Sequence, residues 1–130
     1  MRLLLDTNAV IFCAHKSNRL SVAAYDLITD SESEIFVSAV TAVELACLEQ
    51  RKNLQLTNGW KEWFRNQLTV NTWICLTVTL EVIEEAYGLP EPIHHDPADR
   101  ILIATARLEN FTLITTDELI LKYPHVAARC

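Results

Sequence analysis

Short apolar runs alternate along the chain with longer stretches whose apolar positions recur every three or four residues. Residues 2–5, ending Leu3-Leu4-Leu5, predict a central strand buried on both faces. Residues 9–15 predict a short helix, with Asp6 to Asn8 as its caps. Ser21 caps a second helix through residue 29, with Val22, Tyr25 and Ile28 on one face. Residues 35–37 are β-branched and aromatic, the second strand, and Ser38 caps a helix through Gln50. A loop at 53–59 leads to a helix over 60–68. A third strand follows at 73–76, then a helix from the Thr79 cap to Tyr87, stopped by Gly88. Residues 89–95 form a proline-interrupted loop. Asp96 and Pro97 open a helix to Glu109, residues 111–115 are the fourth strand, and 118–122 make a helical turn. Val126 and Ala127 predict a short edge strand. Strands alternating with helices specify a parallel sheet covered on both faces.

With 130 residues the chain fits one domain, and half of it is apolar. Only two glycines and four prolines occur, so no linker is visible. The net charge is −6, from 11 basic and 17 acidic residues. Nucleic-acid binding by charge alone asks for a basic protein, so any such contact here rests on metal ions and local basic patches. The same balance suits a basic partner. Cys13, Cys47, Cys75 and Cys130 form no Cys-x-x-Cys pair and stand at no zinc spacing. They are expected to be buried free thiols of a reducing cytosol. No secretory leader pattern and no membrane-length apolar run occurs, so a cytoplasmic location without membrane contact is expected.

Four acidic residues stand where a strand gives way to a helix, or just inside that helix. They are Asp6, Glu44, Asp99 and Asp117. In a parallel α/β sheet such turns lie along the carboxyl edge, so residues distant in sequence meet there. Carboxylates gathered in one place repel one another, and a hard divalent cation with oxygen ligands relieves that repulsion. The pattern points to metal-assisted chemistry on a phosphate ester.

Each acid is weighed against a purely structural role. Asp6 and Asp117 fit as helix caps, Asp96 with Pro97 is a cap and first-turn proline, and Asp99 favours the helix dipole. Glu44 fits less easily. It lies inside a helix on an apolar stripe with Val40 and Leu48, where an unpaired carboxylate costs several kcal/mol. It needs a metal shared with Asp6 or an arginine such as Arg100. We favour the metal, because Asp6 is expected on the same edge.

The runs Leu3-Leu4-Leu5-Asp6-Thr7-Asn8, then Val-Ser-Ala-Val-Thr-Ala-Val-Glu-Leu ending at Leu45, then His95-Asp96-Pro97-Ala98-Asp99-Arg100, then Leu-Ile-Thr-Thr-Asp ending at Asp117 resemble the four successive motifs of the PIN domain. They occur in order across nearly the whole chain, which is most similar to the short single-domain toxins of the VapC type. The resemblance implies one PIN domain over residues 1–130, with a three-layer α/β/α fold around a central parallel sheet. It implies a metal-dependent endoribonuclease using Mg2+ or Mn2+, with Asp6, Glu44, Asp99 and Asp117 as catalytic and metal-binding acids. Asn8 and Thr116 match the polar residues that support them. It further implies an RNA substrate, products with 5′-phosphate and 3′-hydroxyl ends, a cognate antitoxin and a homodimer.

A phosphatase of the haloacid-dehalogenase type needs a second acid two residues after the first, and Asn8 stands there. A binding module that sequesters RNA without cutting it is the reading outside catalysis, and the complete acidic set argues against it. His94 and His95 read as loop residues beside the acids, with a substrate contact open. Trp60, Trp63 and Phe64 read as core or as a partner-binding face rather than a base-stacking platform.

Overall fold

A computed structural model describes residues 1–93 and 95–130. Five strands form one parallel sheet: β1 (Arg2–Leu5), β2 (Glu34–Ser38), β3 (Ile74–Leu76), β4 (Thr112–Ile114) and β5 (Ala128–Arg129), in the order β3-β2-β1-β4-β5. The helices are α1 (Thr7–Ala14), α2 (Val22–Thr29), α3 (Val40–Gln50), α4 (Trp60–Asn71), α5 (Leu80–Ala86), α6 (Pro97–Glu109) and α7 (Glu118–Lys122). Among the described residues no helix is long and apolar enough to cross a membrane.

Central β1 pairs Leu4 with Phe36 on one side and with Leu113 on the other. Its three leucines are fully buried, as a strand covered on both faces requires. Alternate side chains enter separate cores. Leu3, Leu5, Val37 and Ile114 pack with α1, α2 and α4, whereas Leu4, Phe36 and Leu113 pack with α5, α6 and α7. The result is the expected three-layer α/β/α arrangement. Burying each leucine contributes about 1.5–3 kcal/mol.

The chain builds β1, β2 and β3 outward in one direction, then returns to lay β4 on the other flank of β1. The order therefore reverses between β1 and β4. Beyond the carboxyl ends of those two strands lies the crevice where open α/β sheets bind ligands. Asp6 follows β1 there, and its backbone N–H donates to the Ile114 carbonyl at 3.1 Å.

Several elements differ from the sequence-based expectation. Helix α1 starts at Thr7, because Asp6 alone caps it through the Ala9 N–H. Ser38 ends β2, and its hydroxyl accepts from Val40 N at 3.1 Å. Helix α4 runs on to Asn71, and Trp73 lies buried ahead of β3. The edge strand sits at Ala128–Arg129, although the Ala127 carbonyl already accepts from Leu113 N. The thiols are free but not buried: Cys13 and Cys47 are half-buried, and Cys75 and Cys130 are exposed. Cys75 stands on β3, at one edge of the sheet.

Candidate active site at the carboxyl edge of the sheet

The turn after β1 carries Asp6, which is 6% exposed and accepts from Ala9 N at 2.7 Å. The Thr115 hydroxyl, at the end of β4, donates to the same carboxylate. That hydroxyl also accepts from the Asp117 N–H at 3.0 Å. One buried threonine thus ties the β1 turn to the β4 turn. Asp117 caps α7 by accepting from Leu119 N at 2.9 Å.

Glu44 stands on α3, half-buried, and accepts from the hydroxyl of Thr7. Thr41, one turn earlier, has its hydroxyl oxygen 3.1 Å from that of Thr7. Asp96 caps α6 through Ala98 N at 2.9 Å, and Asp99 lies in the first turn of that helix, half-buried. The amino ends of α1 and α6 both face this group, and their dipoles favour negative charge there.

Asp6, Glu44, Asp96, Asp99 and Asp117 line one cavity of about 650 Å³, together with Asn8, Cys47 and Arg51. Burial pushes the Asp6 carboxyl up from 3.8 to about 6. The Thr115 and Ala9 donors oppose that rise, and the charges of Asp99 and Glu44 add to it. Burial likewise raises Glu44. Its Thr7 donor pulls the other way, and Asp99 and Asp96 push it further up. The charges acting on both groups are other carboxylates.

The sequence profile of the PIN domain matches residues 3–126. The chain belongs to the PIN-domain family. It is 31% identical over 122 residues to ribonuclease VapC22 of Mycobacterium tuberculosis, covering 94% of this chain and 92% of that relative. Its fold is similar to that of VapBC2 from Rickettsia felis, solved bound to a DNA fragment from their promoter. There the TM-score is 0.68 at 15% identity, over 99% of this chain and 98% of the other. A toxin–antitoxin complex from Klebsiella pneumoniae gives a TM-score of 0.65 at 19% identity, over 98% and 96%.

In this PIN domain the donors around the cavity are carboxylate and hydroxyl oxygens, the set that suits a hard divalent cation. Burial first, and neighbouring carboxylates second, raise the Asp6 and Glu44 carboxyls, and a bound cation would favour their charged forms. Among the described residues no three His, Cys, Asp or Glu side chains are already arranged around one point to hold an ion. The carboxylates share a cavity wall, and Glu44 is engaged with Thr7 rather than aimed at Asp6. The residues fit a divalent ion in chemistry, and closing on one requires side-chain rotation.

The sequence-derived positions fall as follows. Asp6, Glu44, Asp99 and Asp117 all reach the cavity, and Asn8 lies exposed on its wall. Thr116 is half-buried, and its neighbour Thr115 supplies the hydroxyl that holds Asp6. Arg100 is not the partner of Glu44: its guanidinium donates to the Ala86 carbonyl at 3.1 Å and lies over the Tyr87 ring. His95 is exposed in a neighbouring depression with Asp99, and His94 lies outside the described residues. Trp63 and Phe64 are core, with Trp60 packed against them. Sequence reasoning missed Thr7, Thr41, Thr115 and Arg51. Arg51, the C-cap residue of α3, follows Glu44 by seven positions, the spacing of two helical turns, and that spacing was readable.

Proposed function

We propose that this PIN domain, one domain over residues 1–130, is a metal-dependent endoribonuclease and the toxin of a toxin–antitoxin pair. The observation that carries the reading is a buried Asp6 whose carboxyl is raised to about 6 beside Glu44 and Asp99 in one cavity. Burial is the main cause of that rise and the neighbouring carboxylates add to it, and a bound cation would offset both. The likeness to ribonuclease VapC22 supports RNA as substrate.

Asp6, Glu44 and Asp99 are the proposed ligands, with Asp117 completing or orienting a second position. Mg2+ or Mn2+ held there supplies Lewis acidity toward the phosphodiester and makes water a better nucleophile. Thr115 and Thr7 fix the Asp6 and Glu44 carboxylates through hydroxyl donors, and Asn8 and Thr116 are supporting residues. Arg51 provides positive charge on the cavity wall for the RNA backbone. No side chain needs to act as nucleophile.

The proposed inhibitor is a cognate antitoxin that presents a basic side chain to the acidic cavity, since arginine and lysine pair well with carboxylates. A homodimer and a cytoplasmic location belong to the same proposal. The test is cleavage of labelled RNA by the purified protein with Mg2+ or Mn2+, with EDTA, and by Asp6→Asn. Metal-dependent cutting that EDTA and Asp6→Asn both abolish is the expected result. Undiminished cutting in EDTA contradicts the mechanism.

A further inference from the structure

Beside the acidic cavity lies a second depression of about 610 Å³, and Asp96, Asp99 and Asp117 line both. Its remaining wall is of different chemistry. Ile93, Ile103, Leu119 and Tyr123 make it apolar, while His95 and Lys122 add polar groups to it. Its volume falls within the roughly 300–1,000 Å³ usual for small-ligand pockets.

Leu119 is the informative residue. It is 64% exposed and lines the depression beside Asp117. Its backbone N–H donates to the Asp117 carboxylate at 2.9 Å, which positions the backbone of this turn. The next residue, Ile120, is buried and anchors the same turn in the core. An apolar side chain thus stands exposed two residues from a proposed metal-site acid.

We propose that this depression is a nucleobase subsite: it takes one unpaired base of the substrate RNA, next to the phosphodiester placed at Asp6, Glu44 and Asp99. The proposal rests on the ribonuclease reading above and adds the origin of sequence preference. Three features select a base over an aliphatic side chain of a protein partner. The apolar wall formed by Ile93 and the exposed Leu119 suits a flat ring, and bases splayed from a single strand pack on such surfaces. The His95 imidazole offers a hydrogen-bond partner to a base edge, which an aliphatic group cannot use. Exposed Arg51 and Lys122 stand one in each depression, so a strand crossing the shared acids meets a cation for its phosphates in both.

The experiment uses a pool of sequence-randomised single-stranded RNA, cut with Mn2+ by wild type, Leu119→Ala and Ile93→Ala, with the ends mapped. Mn2+ affinity by calorimetry and far-UV circular dichroism accompany each variant as checks on site and fold. Wild type should favour particular bases at one position flanking the cut. Both variants should flatten that preference while keeping Mn2+ affinity. An abasic substitution at that position should weaken RNA binding to wild type about fivefold, the lower end of the range for one stacked base, and barely affect Leu119→Ala. An unchanged base preference and an unchanged abasic penalty in both variants overturn the subsite and leave the ribonuclease standing. Unchanged preference with lost inhibition by the antitoxin overturns it in favour of a protein side chain as occupant. Wild type that cuts no RNA in the pool overturns the ribonuclease reading and the subsite with it.

Discussion

Thr7 donates its hydroxyl hydrogen to the Glu44 carboxylate, although 37 positions separate them. The bond joins α1 to α3 at the acidic cavity and gives the Glu44 carboxylate a fixed partner there. Thr7→Val keeps the shape and removes the donor. A residue that orients a metal ligand typically changes metal affinity 10- to 100-fold when lost, so Mn2+ affinity should weaken by about that factor. The hydroxyl of Thr41 is orphaned at the same time, and the melting temperature should fall, with a cost of about 1–3 kcal/mol. Calorimetric titration and thermal unfolding read the two effects separately. Unchanged Mn2+ affinity contradicts the orienting role.

Asp6 makes metal-free stability depend on pH. Its folded value of about 6 lies above the ordinary 3.8, so the folded protein holds this proton more tightly than the unfolded chain does. The contribution to stability is full below pH 4 and is lost as pH rises through 6. Asp6→Asn removes the titration and keeps a capping side chain on α1. Denaturant melts in EDTA should therefore show wild type losing about 2 kcal/mol relative to the variant between pH 4 and pH 7, an upper value for so buried a group. Parallel stability profiles would show that Asp6 is not strained.

Metal and proton compete for the same carboxylate. Affinity for Mn2+ should rise steeply as pH climbs through 6 and level off above 7, with proton release on binding. Calorimetry in buffers of different ionisation enthalpy measures the released protons. A pH-independent affinity between 5 and 7 would place the ion away from Asp6.

Arg51 lines the acidic cavity and is exposed, so Arg51→Gln should fold normally. Removing a phosphate contact weakens binding to all sequences alike and lowers the salt slope by about one. Fluorescence anisotropy with labelled RNA at several salt concentrations tests this on Asp6→Asn protein, which does not consume the probe. A loss confined to particular sequences would assign Arg51 to base contact instead.

Much of the scaffold was legible because local chemistry and global fold agree. Ser21, Thr79 and Asp96 cap the helices they were expected to cap. The Leu3-Leu4-Leu5 run is the central strand because only a strand covered on both faces buries three consecutive leucines. Helix α4 outran its expected end, since Thr69 and Asn71 bond back to Arg65 and Gln67 carbonyls and sustain a last turn of poor helix formers. The apolar run around Cys75 did not reveal an edge position, because strand order is not written in local sequence.

At the site, the acids were visible as types at junctions, whereas their hydroxyl partners were not. Thr115 and Thr116 are adjacent, and neighbouring residues of an extended chain face opposite ways, so which one reaches Asp6 depends on the pleat of β4. The depression at Leu119 joins a loop near residue 93 to α7, a pairing that no local pattern announces.

The most direct test of the account is the anomalous scattering of a crystal of the wild-type protein grown with Mn2+. The account predicts manganese density in the cavity, within ligating distance of Asp6, Glu44 and Asp99, with Glu44 rotated away from Thr7. Density held by other side chains, or an empty cavity in protein that cleaves RNA in the same solution, would contradict it.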